Sequence, residues 1–157
     1  MSWGEIEAKS RSVAIIADNS LPILERGKPM AKILVIEDEE TVRDNIWELL
    51  DAEGFETLVA ENGVVGVELA TQALPDLILC DLRMPELDGY GVLKALRSEP
   101  TTAAIPVLFV TAKASQAELS YGMGLGANAY ITKPFFLSEL LAVITQVLSA
   151  HKSSSNN

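Results

Sequence analysis

One cysteine, Cys80, and one histidine, His151, are all that this chain of 157 residues offers in the way of thiol and imidazole metal ligands. A lone thiol closes no intramolecular disulfide and supports no cysteine-based metal cluster. That usage suits a reducing compartment, and a cytoplasmic location is expected. Positive charge is scarce too: 12 Lys and Arg stand against 22 Asp and Glu, a formal net charge of −10. A surface of that sign repels a phosphate backbone, so direct nucleic-acid binding is not expected. No apolar run approaches the roughly 18 to 20 residues that cross a bilayer, so no membrane partner is expected either. What the chain has in quantity is apolar side chains, at 48%. That share is too high for a disordered acidic chain, and the length suits one domain with a core of ordinary size.

The acidic excess is local. Residues 30–150 hold 7 basic and 18 acidic residues, whereas residues 1–29 are balanced at four of each. The early apolar run "SVAIIA" is cut short by Asp18 and Pro22, which is too soon for a signal peptide. Residues 1–29 are therefore expected to form an appended arm ending in a linker at Gly27 to Pro29. The domain is expected over 30–150. The tail 151–157, with His151 in it, is expected to be disordered and exposed.

After Met30 the pattern alternates. "KILVI" (32–36), "FETLVA" (55–60), "DLILCD" (76–81), "IPVLFVT" (105–111) and "AYIT" (129–132) read as strands. Between them lie a stripe of Val42, Ile46, Leu49 and Leu50 ending at Gly54, then "NGVVGVELATQA" (62–73), "GYGVLKALRS" (89–98) and a helical stretch near 113–122. Leu137, Leu141, Ile144 and Leu148 mark a last amphipathic helix. Continuously apolar strands alternating with helices call for a parallel sheet covered on both faces. The expected fold is α/β, a doubly wound three-layer αβα sandwich.

In such sheets ligands sit beyond the carboxyl ends of the strands. The first strand ends in Glu37 and Asp38, the third in Asp81, the fourth in Thr111 and the fifth in Thr132 and Lys133. Carboxylates from two strands, a hydroxyl and an ammonium should therefore meet on one rim. Two carboxylates about 4 Å apart repel by roughly 1 kcal/mol in water and about 4 at an effective dielectric near 20. The trio Glu37, Asp38 and Asp81 needs a proton or a cation, and oxygen ligands at an open cleft suit Mg²⁺ rather than zinc. Lys133 would supply a point charge for an anion and Thr111 a hydroxyl donor. Such a set fits transfer of a phosphoryl group onto an aspartate nucleophile.

"ILVIEDEE", "LILCDLRMPELDGYGVLKALR", "IPVLFVTA" and "GANAYITKPF" together resemble the receiver domain of two-component response regulators. The resemblance runs from about Lys32 to Leu148, with acid pair, aspartate, threonine and Lys-Pro in the family's order. It implies a flavodoxin-like, five-stranded sheet of order 2-1-3-4-5. By the same resemblance Asp81 is the phosphoacceptor, and Mg²⁺ is held by Asp38, Asp81, Glu37 and the backbone carbonyl of Arg83. Thr111 would bond a phosphoryl oxygen, Lys133 would pair with the phosphate, and Tyr130 would change rotamer with Thr111. The family more often has Asp-Asp where this chain has Glu37-Asp38, whose longer arm reaches the ion directly or through water. The Lys133–Pro134 bond is expected to be cis, and Arg83 and Lys113 to tune hydrolysis.

The resemblance further implies a sensor histidine kinase or histidine phosphotransfer protein as phosphoryl donor. The implied output is an unknown downstream protein, reached by remodelling the surface of the fourth helix, fifth strand and fifth helix. Homodimerisation through that same surface is left open. The chain reads as a stand-alone receiver, and not as an enzyme beyond its self-catalysed phosphoryl chemistry.

Plainer roles are assigned elsewhere. Cys80 reads as a core residue, Glu39 and Glu40 as acids favoured by the helix dipole. Trp47, off the main stripe, reads as partly buried. "GMGLGA" (122–127) follows a helix and is discounted as a dinucleotide loop. Its glycines each cost a helix roughly 1 kcal/mol against alanine, so the end of the fourth helix should be weakly held. Two rival functions stand beside the receiver. An aspartyl-phosphate hydrolase of the haloacid dehalogenase type needs a second acid two residues after the nucleophile, where Arg83 stands. A pseudo-receiver would bind partners without taking phosphate.

Overall fold

The computed structural model describes residues 31–112 and 115–155. The appended arm expected over 1–29, Lys113, and the last two residues lie outside them. Five strands alternate with five helices: β1 (Lys32–Ile36), α1 (Glu40–Ala52), β2 (Glu56–Ala60), α2 (Gly63–Ala73), β3 (Leu77–Asp81), α3 (Gly89–Ser98), β4 (Val107–Thr111), α4 (Gln116–Gly124), β5 (Ala129–Thr132) and α5 (Leu137–Ser155). All strands pair in parallel, in the order β2-β1-β3-β4-β5. The doubly wound sheet and its strand order are as expected.

The apolar runs of β1, β3 and β4 are continuous because these strands feed two cores. Leu34, Ile36, Ile78, Cys80 and Phe109 point to one face, where α2 and α3 cover them with Ala70, Val92, Leu93 and Leu96. Ile33, Val35, Leu77, Leu79, Leu108 and Val110 point to the other, against Ile46 and Leu50 of α1 and Leu140 and Ile144 of α5. The side-chain period of 2 sorts each strand between these two layers. No helix among the described residues is long and apolar enough to cross a membrane.

Helix starts follow local chemistry. The Asn62 side chain accepts from the Val65 N–H and that of Asp88 from the Gly91 N–H, capping α2 and α3. Helix α4 starts later than expected, because Ser115 and Glu118 form a reciprocal capping box that sets its first turn. The S-x-x-E spacing that signals this was legible in the sequence.

Two expectations at the chain's end are corrected. Helix α5 continues through His151 to Ser155, so this stretch is helical rather than a disordered tail. Neither Gly nor Pro interrupts the hydrogen-bond ladder after Leu137. His151 is half-buried, beside Ala31, Pro75 and Asp76, and not freely exposed. On α5 the fully buried positions are Leu140 and Ile144. Trp47 is the exposed edge of its helix at 37%, with its indole N–H donating to the Thr57 carbonyl at 3.1 Å.

Candidate functional site

The carboxyl ends of β1, β3, β4 and β5 converge because parallel strands in register end together. Ile36 pairs with Cys80, Asp81 with Val110, and Thr111 with Thr132. Residues one step beyond these pairs, Glu37 and Lys133, therefore project into the same cleft. One carboxylate oxygen from each of Glu37, Asp38 and Asp81 lies within 4.8 Å of the others. Lys133 Nζ donates to Glu37 Oε1 at 2.9 Å and to Asp81 Oδ2 at 3.4 Å. The Lys133–Pro134 bond is cis. Residues nearly 100 positions apart in the chain thus meet.

Burial differs within the trio. Glu37 is 1% exposed and Asp81 8%, while Asp38 is the most open of the three. Burial pushes the Glu37 carboxyl above the usual carboxylate range, and Asp81 adds to this against the lowering bonds from Lys133 and the Glu39 N–H. The Glu39 N–H donates to Glu37 Oε2 at 3.1 Å. Burial alone would lower the Lys133 ammonium, but the Glu37 and Asp81 carboxylates outweigh it and hold it above the ordinary lysine value. Lys133 thus stays charged. Cys80, immediately before Asp81, has its thiol pushed well up by burial and by the neighbouring acids, which suits an inert core residue.

The donor set fits a hard divalent ion: three carboxylates, all oxygen, gathered at one rim with two of them desolvated. The only histidine in the sequence lies far along α5, so a soft or borderline ion finds no nitrogen ligand here.

Thr111 ends β4 and is fully buried beside this cleft, its carbonyl accepting from the Lys133 N–H at 2.8 Å. The Arg83 N–H donates to Asp81 Oδ1 at 3.3 Å, so the loop after β3 folds back over the acid. Gly89 keeps that loop tight: a Cβ there would sit 2.7 Å from the Asp81 carbonyl oxygen and 2.9 Å from Leu82 Cα.

Tyr130 lies further from the acids, on β5. Its ring packs on Phe109 with centroids 5.4 Å apart, and its hydroxyl donates to the Glu118 carbonyl at 3.3 Å. The glycines of α4 find separate explanations here. A Cβ on Gly122 would fall on the Tyr130 hydroxyl, so this glycine makes room for the ring. Gly126 has φ +105° and lies on the Arg97 side chain, whereas a Cβ on Gly124 would meet nothing within 4 Å. Burial, with Tyr90 and Glu118 nearby, pushes the Tyr130 phenol from its ordinary 10.0 up to about 12. A raised folded-state value favours the protonated phenol, so its stabilising contribution is whole below pH 10 and is lost as pH rises toward 12. An absorbance titration at alkaline pH should therefore show Tyr130 ionising late, together with loss of near-ultraviolet dichroism. Replacing Tyr130 with Phe should remove its step and leave that of Tyr90, whose phenol is also pushed up by burial and by Glu118.

Sequence reasoning passed over three partners in this region. Glu118 holds the Arg83 guanidinium, Tyr90 donates to the Glu118 carbonyl at 2.9 Å, and Lys133 pairs with Glu37 more closely than with Asp81. The first two join different elements and carry no spacing signal.

Comparison with known proteins agrees with this fold. The family model described as the response regulator receiver domain matches residues 33–145. Protein PilH of Pseudomonas aeruginosa is 39% identical over 120 residues, covering 76% of this chain and 99% of PilH. The transcriptional regulator RpaA of Synechocystis is 39% identical over 119 residues, covering 76% of this chain but 49% of RpaA. The chain therefore spans the whole of one such relative and about half of the other. Among solved structures, Vibrio cholerae chemotaxis protein CheY4 superposes with a TM-score of 0.73 at 30% identity, over 75% of this chain and 98% of CheY4. The receiver domain of the Pseudomonas aeruginosa sensor histidine kinase PA1611, described with magnesium in its active-site cleft, gives 0.70 at 28% identity, over 76% of this chain and 98% of that one. From its motifs, its strand order and these matches, the chain belongs to the response regulator receiver domain family, whose members are signalling modules rather than classical enzymes.

Proposed function

We propose that this protein is a phosphorylation-dependent switch in which Asp81 accepts a phosphoryl group. The observation that carries this reading is the meeting of Glu37, Asp38 and Asp81 within 4.8 Å beside the Lys133 ammonium. An Asp81 carboxylate oxygen attacks phosphorus, the bond from phosphorus to the donor's imidazole nitrogen breaks, and that nitrogen keeps the electron pair. The donor is a phosphohistidine on a sensor kinase or histidine phosphotransfer protein. Asp38, Asp81, Glu37 and the Arg83 carbonyl would hold Mg²⁺, which would supply charge neutralisation for the transferred group. Lys133 supplies a second, fixed positive charge, and Thr111 donates its hydroxyl to a phosphoryl oxygen.

Phosphorylation replaces the single charge of the Asp81 carboxylate with a phosphoryl group carrying about −1.5 to −2, next to Thr111. Thr111 moving toward that charge leaves space at the end of β4, and Tyr130 on the neighbouring strand follows. The readout surface is then α4, β5 and α5, which meets a downstream protein or a second copy of the chain. The match to PilH covers nearly its full length. RpaA is named as DNA-binding, but only about half of it is matched. The strong acidic excess of the matched stretch favours protein partners over DNA for this domain.

Incubation with acetyl phosphate and Mg²⁺, followed by intact mass and peptide mapping, tests the reading. One phosphoryl adduct mapping to Asp81 is expected. Steady release of phosphate without an adduct would favour a hydrolase, and no reaction would favour a binding module that takes no phosphate.

A further inference from the structure

The loop after β3 and the start of α4 are joined by one ion pair, in which a single Arg83 nitrogen faces both Glu118 carboxylate oxygens. Arg83 Nη2 lies 2.7 Å from Glu118 Oε2 and 3.0 Å from Oε1. Glu118 sits at a junction. Its Oε1 accepts the Ser115 N–H at 2.9 Å, closing the capping box of α4. Its backbone carbonyl accepts the hydroxyls of both Tyr90, at 2.9 Å, and Tyr130, at 3.3 Å. Arg83 is rooted at the other end of the same chain of contacts, with its own N–H on Asp81 Oδ1 at 3.3 Å. A single residue of α4 therefore touches the guanidinium of the residue whose N–H bonds the acceptor aspartate, and the tyrosine on β5.

We propose, on the reading of Asp81 given above, that Glu118 is a positioning residue for the phosphoryl chemistry. It parks the Arg83 guanidinium on the first turn of α4 until an aspartyl phosphate takes that guanidinium over. The exchange is favourable on physical grounds. The Arg83 side chain is 60% exposed and that of Glu118 32%, and a pair this open shifts an equilibrium by a factor of only about two to five. A phosphoryl group carries about −1.5 to −2 charge and presents oxygens that a planar guanidinium meets with two bonds. Arg83 reaches it by changing rotamer, since its backbone already bonds the acceptor carboxylate. Glu118, left without the guanidinium, keeps its capping bonds but loses its tie to the loop after β3. The turn of α4 that carries the Tyr130 acceptor is then freed to shift.

The pair is separable by substitution. Glu118→Gln preserves the capping box, because Gln accepts the Ser115 N–H equally well, and removes the charge that holds Arg83. Beryllofluoride with Mg²⁺, a mimic of the aspartyl phosphate, is titrated into the full chain. Binding is read by ¹⁹F NMR, and the Arg83 Nε–H and Gly122 amide resonances are followed in parallel. Glu118→Gln should bind beryllofluoride roughly two- to five-fold more tightly than wild type. Arg83→Ala should bind more weakly, and adding Glu118→Gln to it should change nothing further. In the wild type the Arg83 Nε–H signal should move on saturation. Equal affinity of Glu118→Gln and wild type would overturn the proposal, as would the same tightening in the Arg83→Ala background. Failure of wild type itself to bind beryllofluoride would instead remove the reading of Asp81 as acceptor, and this inference with it.

Discussion

Asp81→Asn should take up no phosphoryl group from acetyl phosphate and Mg²⁺, with the adduct falling to background in intact mass spectra. An amide oxygen carries no ionised lone pair to attack phosphorus, and Asn also withdraws one of the three carboxylates that gather at the cleft. The fold should survive this change. Asp81 pushes the Glu37 carboxyl up by like-charge repulsion, and Asn relieves that repulsion at the cost of the 3.4 Å contact with Lys133. Lys133 keeps its closer bond to Glu37 at 2.9 Å. The thermal midpoint should therefore stay within a few degrees of wild type or rise, as expected where reactivity is maintained at some cost in stability. An adduct of undiminished yield on the Asn variant would move the acceptor to another residue and remove the proposed function.

Lys133→Met should pull metal binding and phosphoryl uptake in opposite directions. Without the ammonium the cleft is more negative, so Mg²⁺ should bind about tenfold more tightly, which corresponds to roughly 1.4 kcal/mol. Phosphoryl uptake should nevertheless fall by about 10² to 10³, the usual effect of removing one preorganised charge facing the transferred group. Stability gains a pH dependence whose sign follows from Glu37. Burial already raises its carboxyl above the unfolded value of 4.5, and losing the Lys133 bond raises it further. A raised folded-state value means the stabilising protonated form is intact below about pH 4.5 and lost as pH rises through the higher value. The variant should then lose about 1–3 kcal/mol relative to wild type by pH 8, and added Mg²⁺ should restore part of it by binding the folded state. Calorimetric Mg²⁺ titration and urea unfolding at two pH values check both signs. Weaker Mg²⁺ binding would mean that Lys133 organises the acids rather than competing with the ion.

Much of the frame was readable in one dimension. The five apolar runs and the acidic, hydroxyl and ammonium groups at the strand ends all lie in contiguous stretches whose periodicity or composition is local. Tyr130 was legible only through the family resemblance, because nothing in "AYIT" distinguishes a readout tyrosine from a core one. The start of α4 was misplaced although Ser115 and Glu118 announce it, since the weak apolar patterning of that helix gives no competing signal. The end of α5 was cut short because "HKSSSNN" has the composition of a solvated tail. A helix already formed from Leu137 onward continues through such residues at little cost.

By itself the sequence determined the α/β class, the parallel sheet and the chemical types gathered at its carboxyl edge, because hydrophobic periodicity and strand-end residues are properties of neighbours in the chain. Only the tertiary structure decided that Lys133 bonds Glu37 before Asp81, that Gly122 yields its space to the Tyr130 hydroxyl, and that Glu118 bridges Arg83 to two tyrosines. Those are contacts between residues from 8 to 96 positions apart. Their geometry is set by how the layers pack, and no local pattern encodes it.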